Sequence, residues 1–355
     1  MGLTEQKLGS FSEMSIRIKD VARMAGVSAA TVSRVFTNGP VSADLKKKVE
    51  AAVKATGYRP NLSARRLRSQ HSSTIGLIVS DIRNPFFTTL SRAVEDAAYR
   101  ADMRVVLCNT DENPAREAMY LRLMQEERIT GLIYAPTRTM AEKLGAMDFD
   151  FPVVLVDRAG PSGSQDVVGI DNAEAAGLLV DHLVAQGHRH IVGLFGNTSS
   201  TAIERHDGHA AAMARHGLAT DACFLPPLAE AAEAEVVRRL TAGERPDAVT
   251  ASNGQMLLGL YRGVQRAGLA TPRDIAIAGF DNEIWTELVG PGLTVVEQPV
   301  AEIGRAAMDL LFERLRTPDM ATRKVTLAGR LVVRGSSGAR GPAREAGRPD
   351  GDLGH

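Results

Sequence analysis

Several apolar runs in this sequence end on side chains that can hold a small polar molecule. Asp81-Ile-Arg-Asn84-Pro-Phe86-Phe87 follows Ile75–Val79, and Asp157-Arg158 follows Val153–Val156. Arg205 comes after Ile191–Phe195, Asn253 after Ala248–Ser252, and Asp281 after Ile275–Phe280, while Gln298 ends Thr294–Gln298. These residue types are what recognition of a monosaccharide needs. A carboxylate accepts from two vicinal hydroxyls, an arginine offers a planar fork of donors, Asn and Gln play both roles, and an aromatic ring covers the C–H side. Any one Asp or Asn after a strand has an ordinary use as a helix cap; the combination carries the chemistry.

The runs behind these residues read as strands: those named, with Val105–Asn109, Gly131–Tyr134, Val167–Ile170 and a last one, Lys324–Val333. Their continuous apolar character suits parallel strands buried on both faces. Helical stretches such as Thr88–Arg100, Ala173–Gln186 and Met256–Ala267 separate them. That alternation is the pattern of doubly wound α/β layers, with strands enough for two open sheets.

The 355 residues carry no net charge, yet the charge is unevenly placed. Residues 1–75 hold 13 Lys or Arg against 5 Asp or Glu, a balance of +8; the rest holds 29 against 37, a balance of −8. A basic arm on an acidic body suggests a nucleic-acid-binding module joined to something else. Cys108 and Cys223 make no disulfide framework and suit a reducing cytoplasm. No apolar signal core opens the chain and no run long enough to span a membrane occurs, so the expectation is a cytoplasmic protein.

Within the basic arm, Lys19–Ala25, Ala29–Phe36 and Ala43–Thr56 show helical spacing of apolar residues. Gly26 supplies the left-handed turn between the first two helices, Ser28 and Ser42 can cap the second and third, and Gly57 with Pro60 ends the third. This is a helix-turn-helix, whose second helix enters the major groove of double-stranded DNA. Ala29 and Ala30 would face base edges with apolar contact, as to a thymine methyl, and Arg34 would reach guanine or a phosphate. Ser28, Thr31 and Ser33 suit phosphate oxygens near a helix N-terminus. An ordinary helical hairpin explains the spacing but not its coincidence with the hydroxyl cluster and the charge.

The run from Asp20 to Val35, with Val41-Ser42, Val49, Gly57-Tyr58-x-Pro60-Asn61 and Ala64-Arg-x-Leu67, resembles the LacI/GalR (lactose repressor) family, and the likeness extends to about Arg334. The resemblance implies a disordered lead over 1–15, a helix-turn-helix domain over 16–60, and a hinge helix and linker over 61–73. It implies a periplasmic-binding-protein-like body over 74–334 that binds effector and dimerises. That body would have two doubly wound parallel-sheet subdomains, about 74–170 with 300–325, and 171–297 with 326–334. Residues 335–355, rich in Gly, Arg, Pro and Asp, read as a disordered tail.

In the hinge, Leu67 matches the leucine that wedges into the minor groove, and Ala64 a small residue at the hinge–hinge contact. Arg65 and Arg68 suit phosphates, and Asn61 belongs to the same DNA-facing motif. In the body, Asn84, Phe87, Asp157, Arg158, Arg205, Asn253, Asp281 and Gln298 resemble a ribose-type pattern, with Phe86 in the same loop. The implied effector is a monosaccharide such as a pentose, bound in a cleft that Trp285 should also border. One departure stands out: the family commonly has Asn-Asp where this chain has Asn253-Gly254, which removes an acid from a helix N-terminus. The family pairs as dimers on pseudo-palindromic operators. Some relatives tetramerise through a C-terminal leucine heptad; Leu353 alone makes none here, so a homodimer is expected.

Nucleotide-binding glycine motifs and the Gly-x-Ser-x-Gly elbow are absent from the sequence. His182, His188, His190, His206 and His209 lie close together, but His188-Arg-x-Ile resembles a structural turn, so neither metal nor cofactor is expected. The reading is a ligand-controlled DNA-binding regulator, acting as a repressor and not an enzyme. The alternatives are a sugar-binding protein or a sugar-acting α/β enzyme without a DNA role.

Overall fold

The structure is a computed structural model and describes residues 17–36, 39–58, 72–160, 163 and 165–339. The chain divides into two units between residues 70 and 71.

The first unit is helical: α1 (Ile18–Ala25), α2 (Ala29–Phe36) and α3 (Ala43–Thr56). Val21, Ala22, Val32, Val49 and Ala52 form its buried centre, so each helix contributes one apolar face. Gly26 takes the left-handed conformation at φ 64° that lets α1 turn into α2. Ser28 Oγ accepts the Thr31 N–H at 3.1 Å, the cap expected of it. Ser42 makes no such bond; the first turn of α3 carries Asp44 instead, whose charge suits the positive helix end.

The second unit contains two six-stranded sheets with the orders β11-β5-β4-β3-β1-β2 and β12-β10-β9-β8-β6-β7. The first five strands are β1 (Thr74–Val79), β2 (Arg104–Asn109), β3 (Gly131–Tyr134), β4 (Val153–Val156) and β5 (Asp166–Ile170). They are followed in the chain by β6 (Ile191–Gly196), β7 (Asp221–Leu225), β8 (Ala248–Ala251), β9 (Ala276–Phe280) and β10 (Thr294–Glu297). The helices are α4 (Pro85–Arg100), α5 (Pro114–Glu126), α6 (Arg138–Ala141), α7 (Asn172–Ala185), α8 (Ser200–Arg215), α9 (Ala229–Thr241), α10 (Gly254–Arg266), α11 (Ile284–Leu288) and α12 (Val300–Arg316). β1, β3, β4, β6, β8 and β9 are buried along their whole length, which is why their sequences are apolar apart from the hydroxyls of Thr74, Tyr134 and Thr250. Each lobe thus repeats one doubly wound topology, and the strand order reverses beside β1 in one lobe and β6 in the other.

Three expectations need correction. The last strand is not one but two: β11 (Lys324–Leu327) pairs parallel with β5, and β12 (Arg330–Val332) pairs antiparallel with β10. The chain crosses from one lobe to the other at Ala328-Gly329. A Cβ on Gly329 would lie 3.0 Å from Val296 Cγ1, so a side chain at the crossing would press on β10. Strand β7 went unread because, as an edge strand, it is only partly buried and lacks the continuous apolar signal. Finally, the tail does not begin at Gly335. Residues Gly335–Ser337 form a 3₁₀ turn in which Ser336 and Ser337 are buried, and Ser336 Oγ donates to Ile277 O at 2.6 Å and accepts the Thr294 N–H at 2.8 Å. Residues 340–355 lie outside the described residues.

Candidate functional site

Where the strand order reverses, loops diverge and leave a crevice at the C-terminal strand ends. Here the strand ends of both lobes line one cavity of about 340 Å³. The first lobe contributes Asn84, Phe86 and Phe87 at the start of α4, and Asp157 and Arg158 after β4. The second contributes Arg205 from α8, Asn253 before α10, Asp281 after β9 and Gln298 after β10. All nine effector residues named from the sequence therefore line the same space. Two hydrogen bonds bridge the lobes at its mouth: Gln255 Nε2 donates to Arg83 O at 3.1 Å, and Arg138 N to Thr198 O at 3.2 Å.

The two lobes place an aspartate in the same way. Asp157 and Asp281 have left-handed backbones, φ 65° and 74°, a conformation that costs a non-glycine residue energy and clusters at functional sites. Each sends its N–H to the neighbouring strand, to Val168 O at 3.0 Å and Val296 O at 2.9 Å. Burial raises the Asp157 carboxyl above its ordinary range, with Arg158 and Arg205 pulling it back. Asp281 is held on both oxygens: Oδ2 accepts the Gly254 N–H at 2.8 Å and Oδ1 accepts from Gln298 Nε2 at 2.7 Å.

Arg205 is buried at 4 % exposure and stacks over Phe280, 4.0 Å from the ring centre. Its Nε donates to Asn172 Oδ1 at 2.8 Å, and its terminal nitrogens to Ser252 O at 2.5 Å and Gln298 Oε1 at 3.3 Å. Burial lowers its pKa, and Asp157 and Asp281 push it back up. Arg158 has a different anchor. Its two terminal nitrogens donate to both oxygens of Glu112 at 2.5 and 2.9 Å and one also to Pro136 O at 3.1 Å, while Asp157 Oδ2 lies 3.4 Å from Nε. Burial opposes the Arg158 charge, but Glu112 outweighs it and holds the pKa above the ordinary value.

The capping use of asparagine is present beside any ligand use. Asn84 Oδ1 accepts the Phe86 N–H at 3.0 Å and Asn253 Oδ1 the Met256 N–H at 2.8 Å, which fixes both side chains at the rim. Phe86 and Phe87 meet edge to face at 5.1 Å on one side of the cavity, and Pro226, Pro227 and Leu228 line it elsewhere. Charge also has a pattern. Arg83 is paired with Asp81 and Arg158 with Glu112, while Arg205 feels the charges of Asp157 and Asp281. Among the described lining residues, three arginines face five carboxylates, Asp111 being the fifth.

Sequence reasoning missed Glu112, Thr198, Ser199 and Pro226–Leu228. Glu112 and Thr198 sit just past β2 and β6, where the same strand-end logic would have found them; Pro226–Leu228 follow the unread β7. Trp285 needs a correction. It does not line this cavity but an adjoining groove that shares Phe86, Asp281 and Gln298 with it. The histidines do not converge on a metal: His182 meets Ser337 Oγ at 2.7 Å, His188 meets Gly338 O at 3.2 Å, and no metal-ligating cluster occurs among the described residues.

In the helical unit, Ala30 and Arg34 are exposed one helical turn apart on α2, and so share a face. Ala29 packs against the buried centre, and Ser28 and Thr31 hydroxyls bond each other at 2.9 Å. Ser33 is partly exposed on the same helix. Asn61, Ala64, Arg65, Leu67 and Arg68 lie outside the described residues. No described helix is long and apolar enough to cross a membrane.

Comparison with known proteins matches residues 17–61 to the bacterial regulatory proteins of the lacI family and residues 180–337 to the periplasmic binding protein-like domain. The HTH-type transcriptional regulator PtxS of Pseudomonas putida is 33 % identical over 327 residues, covering 91 % of this chain and 96 % of that protein. The ribose operon repressor of Escherichia coli is 32 % identical over 336 residues, covering 90 % and 99 %. Among solved structures, a lac repressor dimer bound to operator and an anti-inducer superposes with a TM-score of 0.82 at 26 % identity, covering 91 % of this chain and 99 % of that one.

Proposed function

The chain belongs to the lacI family of bacterial regulatory proteins and is a DNA-binding transcriptional regulator; from that premise we propose that it is a homodimeric repressor whose operator affinity is set by a neutral monosaccharide, a pentose in the first place. The observation that carries this reading is the convergence of Asn84, Phe86, Phe87, Asp157, Arg158, Arg205, Asn253, Asp281 and Gln298 on one cavity of about 340 Å³. Its size is at the small end of ligand pockets, roughly 300–1,000 Å³. The charge supports neutrality: Arg83 and Arg158 are already paired with carboxylates, Arg205 is already engaged by neutral acceptors, and five acids to three cations repel a phosphate or a sugar acid. The acids accept from hydroxyls, Arg158 and Arg205 donate, and Phe86 and Phe87 cover apolar ring faces. The ribose operon repressor among the relatives agrees with this class.

On the DNA side, Ala30 and Arg34 read base edges, Ser28, Thr31 and Ser33 meet phosphates, and Ala29 adds contact at the helix start. Asn61, Ala64, Arg65, Leu67 and Arg68 form the hinge that docks with the DNA, Leu67 as wedge. The domains are those of the sequence reading, 16–60, 61–73 and 74–334, with the body extended to the 3₁₀ turn at 335–337.

Selection of bound fragments from random double-stranded DNA by the full chain tests the first half, and thermal unfolding with D-ribose, D-xylose, L-arabinose and their phosphates tests the second. A two-fold symmetric site, a rise in melting temperature with a neutral pentose, and a change in DNA affinity with the same sugar are expected. Stabilisation by a phosphorylated sugar alone would overturn the effector class, and enrichment of no symmetric site would overturn the dimeric operator.

A further inference from the structure

Gly254 opens α10 with an ordinary, non-left-handed backbone, so its conformation does not call for glycine. Space does. A Cβ at this position would overlap Glu283 Oε1 and stand 3.2 Å from both Asp281 Cβ and Glu283 Cδ. Glu283 comes from the loop after β9 and turns its carboxylate back over the start of α10. Its Oε2 accepts from Trp285 Nε1 at 2.7 Å. Its Oε1 is buried with no hydrogen-bond partner among the described residues. The positive end of α10 accommodates an acid there, so the charge absent at position 254 is supplied from position 283. The neighbouring Asp281 takes the Gly254 N–H, and any movement of that N–H moves Asp281, which lines the cavity.

We propose that Gly254 and Glu283 are a matched pair in which the Glu283 carboxylate, seated in the space a side chain at 254 would claim, positions Asp281 on the cavity wall and ties that wall to Trp285. The proposal rests on the cavity being the effector site. It makes Glu283 a positioning residue: it does not line the cavity but fixes one that does, and it carries that wall's position into the groove around α11, where Trp285, the chain's single tryptophan, stands.

The test is a double-mutant cycle in the full chain with Gly254→Ala, Glu283→Ala, both together, and Gly254→Ala with Glu283→Gln. Gly254→Ala forces the flexible end of Glu283 aside, which breaks its Trp285 bond and lowers the melting temperature by a degree or two. Adding Glu283→Ala restores most of the loss because the obstructing atoms are gone; adding Glu283→Gln restores little because glutamine keeps the volume. Trp285 emission is a second readout. It shifts in Glu283→Ala, and in the parent it titrates above the ordinary glutamate range, since burial raises the Glu283 carboxyl, the Trp285 hydrogen bond lowers it by less, and Asp281 raises it further. The other charged groups at hand are Glu287 on α11, Glu297 at the end of β10, Glu302 and Arg305 on α12, and Arg334, which reaches Asn282 and Glu287. The titration disappears in Glu283→Gln if the assignment is right.

D-ribose serves as the ligand probe, with Glu283→Ala binding it several-fold more weakly than the parent. If D-ribose leaves the parent unmoved, D-ribose is not the effector, and the thermal cycle and the emission still decide the pair. Additive melting shifts, or a Gly254→Ala chain as stable as the parent, overturn the pair. D-ribose binding unchanged in Glu283→Ala overturns the positioning of Asp281.

Discussion

Arg158 is the side chain whose partner the sequence did not reveal, and its ion pair with Glu112 makes the sharpest test of how the cavity is built. The two are paired by both terminal nitrogens at 2.5 and 2.9 Å, with side-chain exposures of 6 % and 16 %. At these distances the gross attraction is about 6 kcal/mol for an effective dielectric of about 20, most of it offset by desolvation. Removing one partner is a different matter, because it strands the other in a dry site at a cost of about 3–5 kcal/mol. Asp157, 3.4 Å from Arg158 Nε, compensates in part and favours the lower figure. Glu112→Ala should therefore destabilise the body by about 3 kcal/mol, roughly 6–12 °C in melting temperature for a unit of this kind. Glu112→Ala with Arg158→Met should regain part of that loss, since the two paired charges leave together and only Asp157 loses a neighbour, yet bind no sugar, since the donor fork is gone. Calorimetric melting of the four proteins and sugar titration of the folded ones supply the measurement. A single mutant within about 1 kcal/mol of the parent, or a double mutant as unstable as the sum of the singles, would refute the claim that Glu112 holds Arg158.

Three further outcomes follow from other parts of the molecule. His209 is buried and its pKa is lowered to about 4 from 6.5, first by burial and then by His206. A base whose folded pKa is depressed leaves stability intact above the unfolded value, and stability is lost as pH falls from about 6.5 toward about 4, by about 3 kcal/mol in total; His209→Phe should flatten that part of the pH–stability curve, and an unchanged slope would exonerate His209. Gly208 on α8 has no room for a methyl, since a Cβ would overlap Ala173 O and stand 2.5 Å from Ala173 Cα. Gly208→Ala should thus cost about 3 kcal/mol in urea unfolding, whereas Gly217→Ala, in open space but at φ 66°, pays for backbone strain alone. Arg34→Ala should weaken operator binding by about 1–3 kcal/mol and relax one base position if its contact is bidentate to guanine; an equal loss on operator and random DNA would make it a phosphate contact.

Fold and site were not equally legible. Fully buried strands announce themselves, because burial on both faces leaves β4 wholly apolar and β1 and β3 nearly so, Thr74 and Tyr134 being their only hydroxyls. Edge strand β7 has no such signal, and the split of Lys324–Val333 depends on a two-residue crossing that periodicity over ten residues averages away. The strand-end residues were readable because doubly wound sheets put their ligand crevice at those ends. Glu112 stands at the same kind of strand end, but its pairing with Arg158 was not readable, because the two lie 46 positions apart. Gly254 was read as a lost acid, whereas the structure shows the acid arriving from Glu283, a distance in space that no local pattern encodes. Ser42 looked like a cap and makes no capping bond, because cap identity alone does not fix where the side chain turns.

The crossings between the lobes explain how a bound ligand could reach the rest of the body. The chain passes between them three times, from β5 to α7, from β10 to α12, and from β11 to β12. Arg205 contacts two of these passages: its Nε holds Asn172 at the first and a terminal nitrogen holds Gln298 at the second. The Gln298 bond is long at 3.3 Å, while Gln298 grips Asp281 at 2.7 Å. A ligand oxygen placed between Arg205 and Asp281 competes for the weaker of these bonds. On the proposed function, the connection expected to yield is the one between Arg205 and the second crossing, which would carry occupancy of the cavity to the segments joining the lobes. Two-state hinge motions work through such a few segment-end residues. The geometry also explains why the arginine is buried and stacked on Phe280 rather than exposed at the rim: only a guanidinium fixed in place can relay a change at one of its corners to strands that leave in different directions.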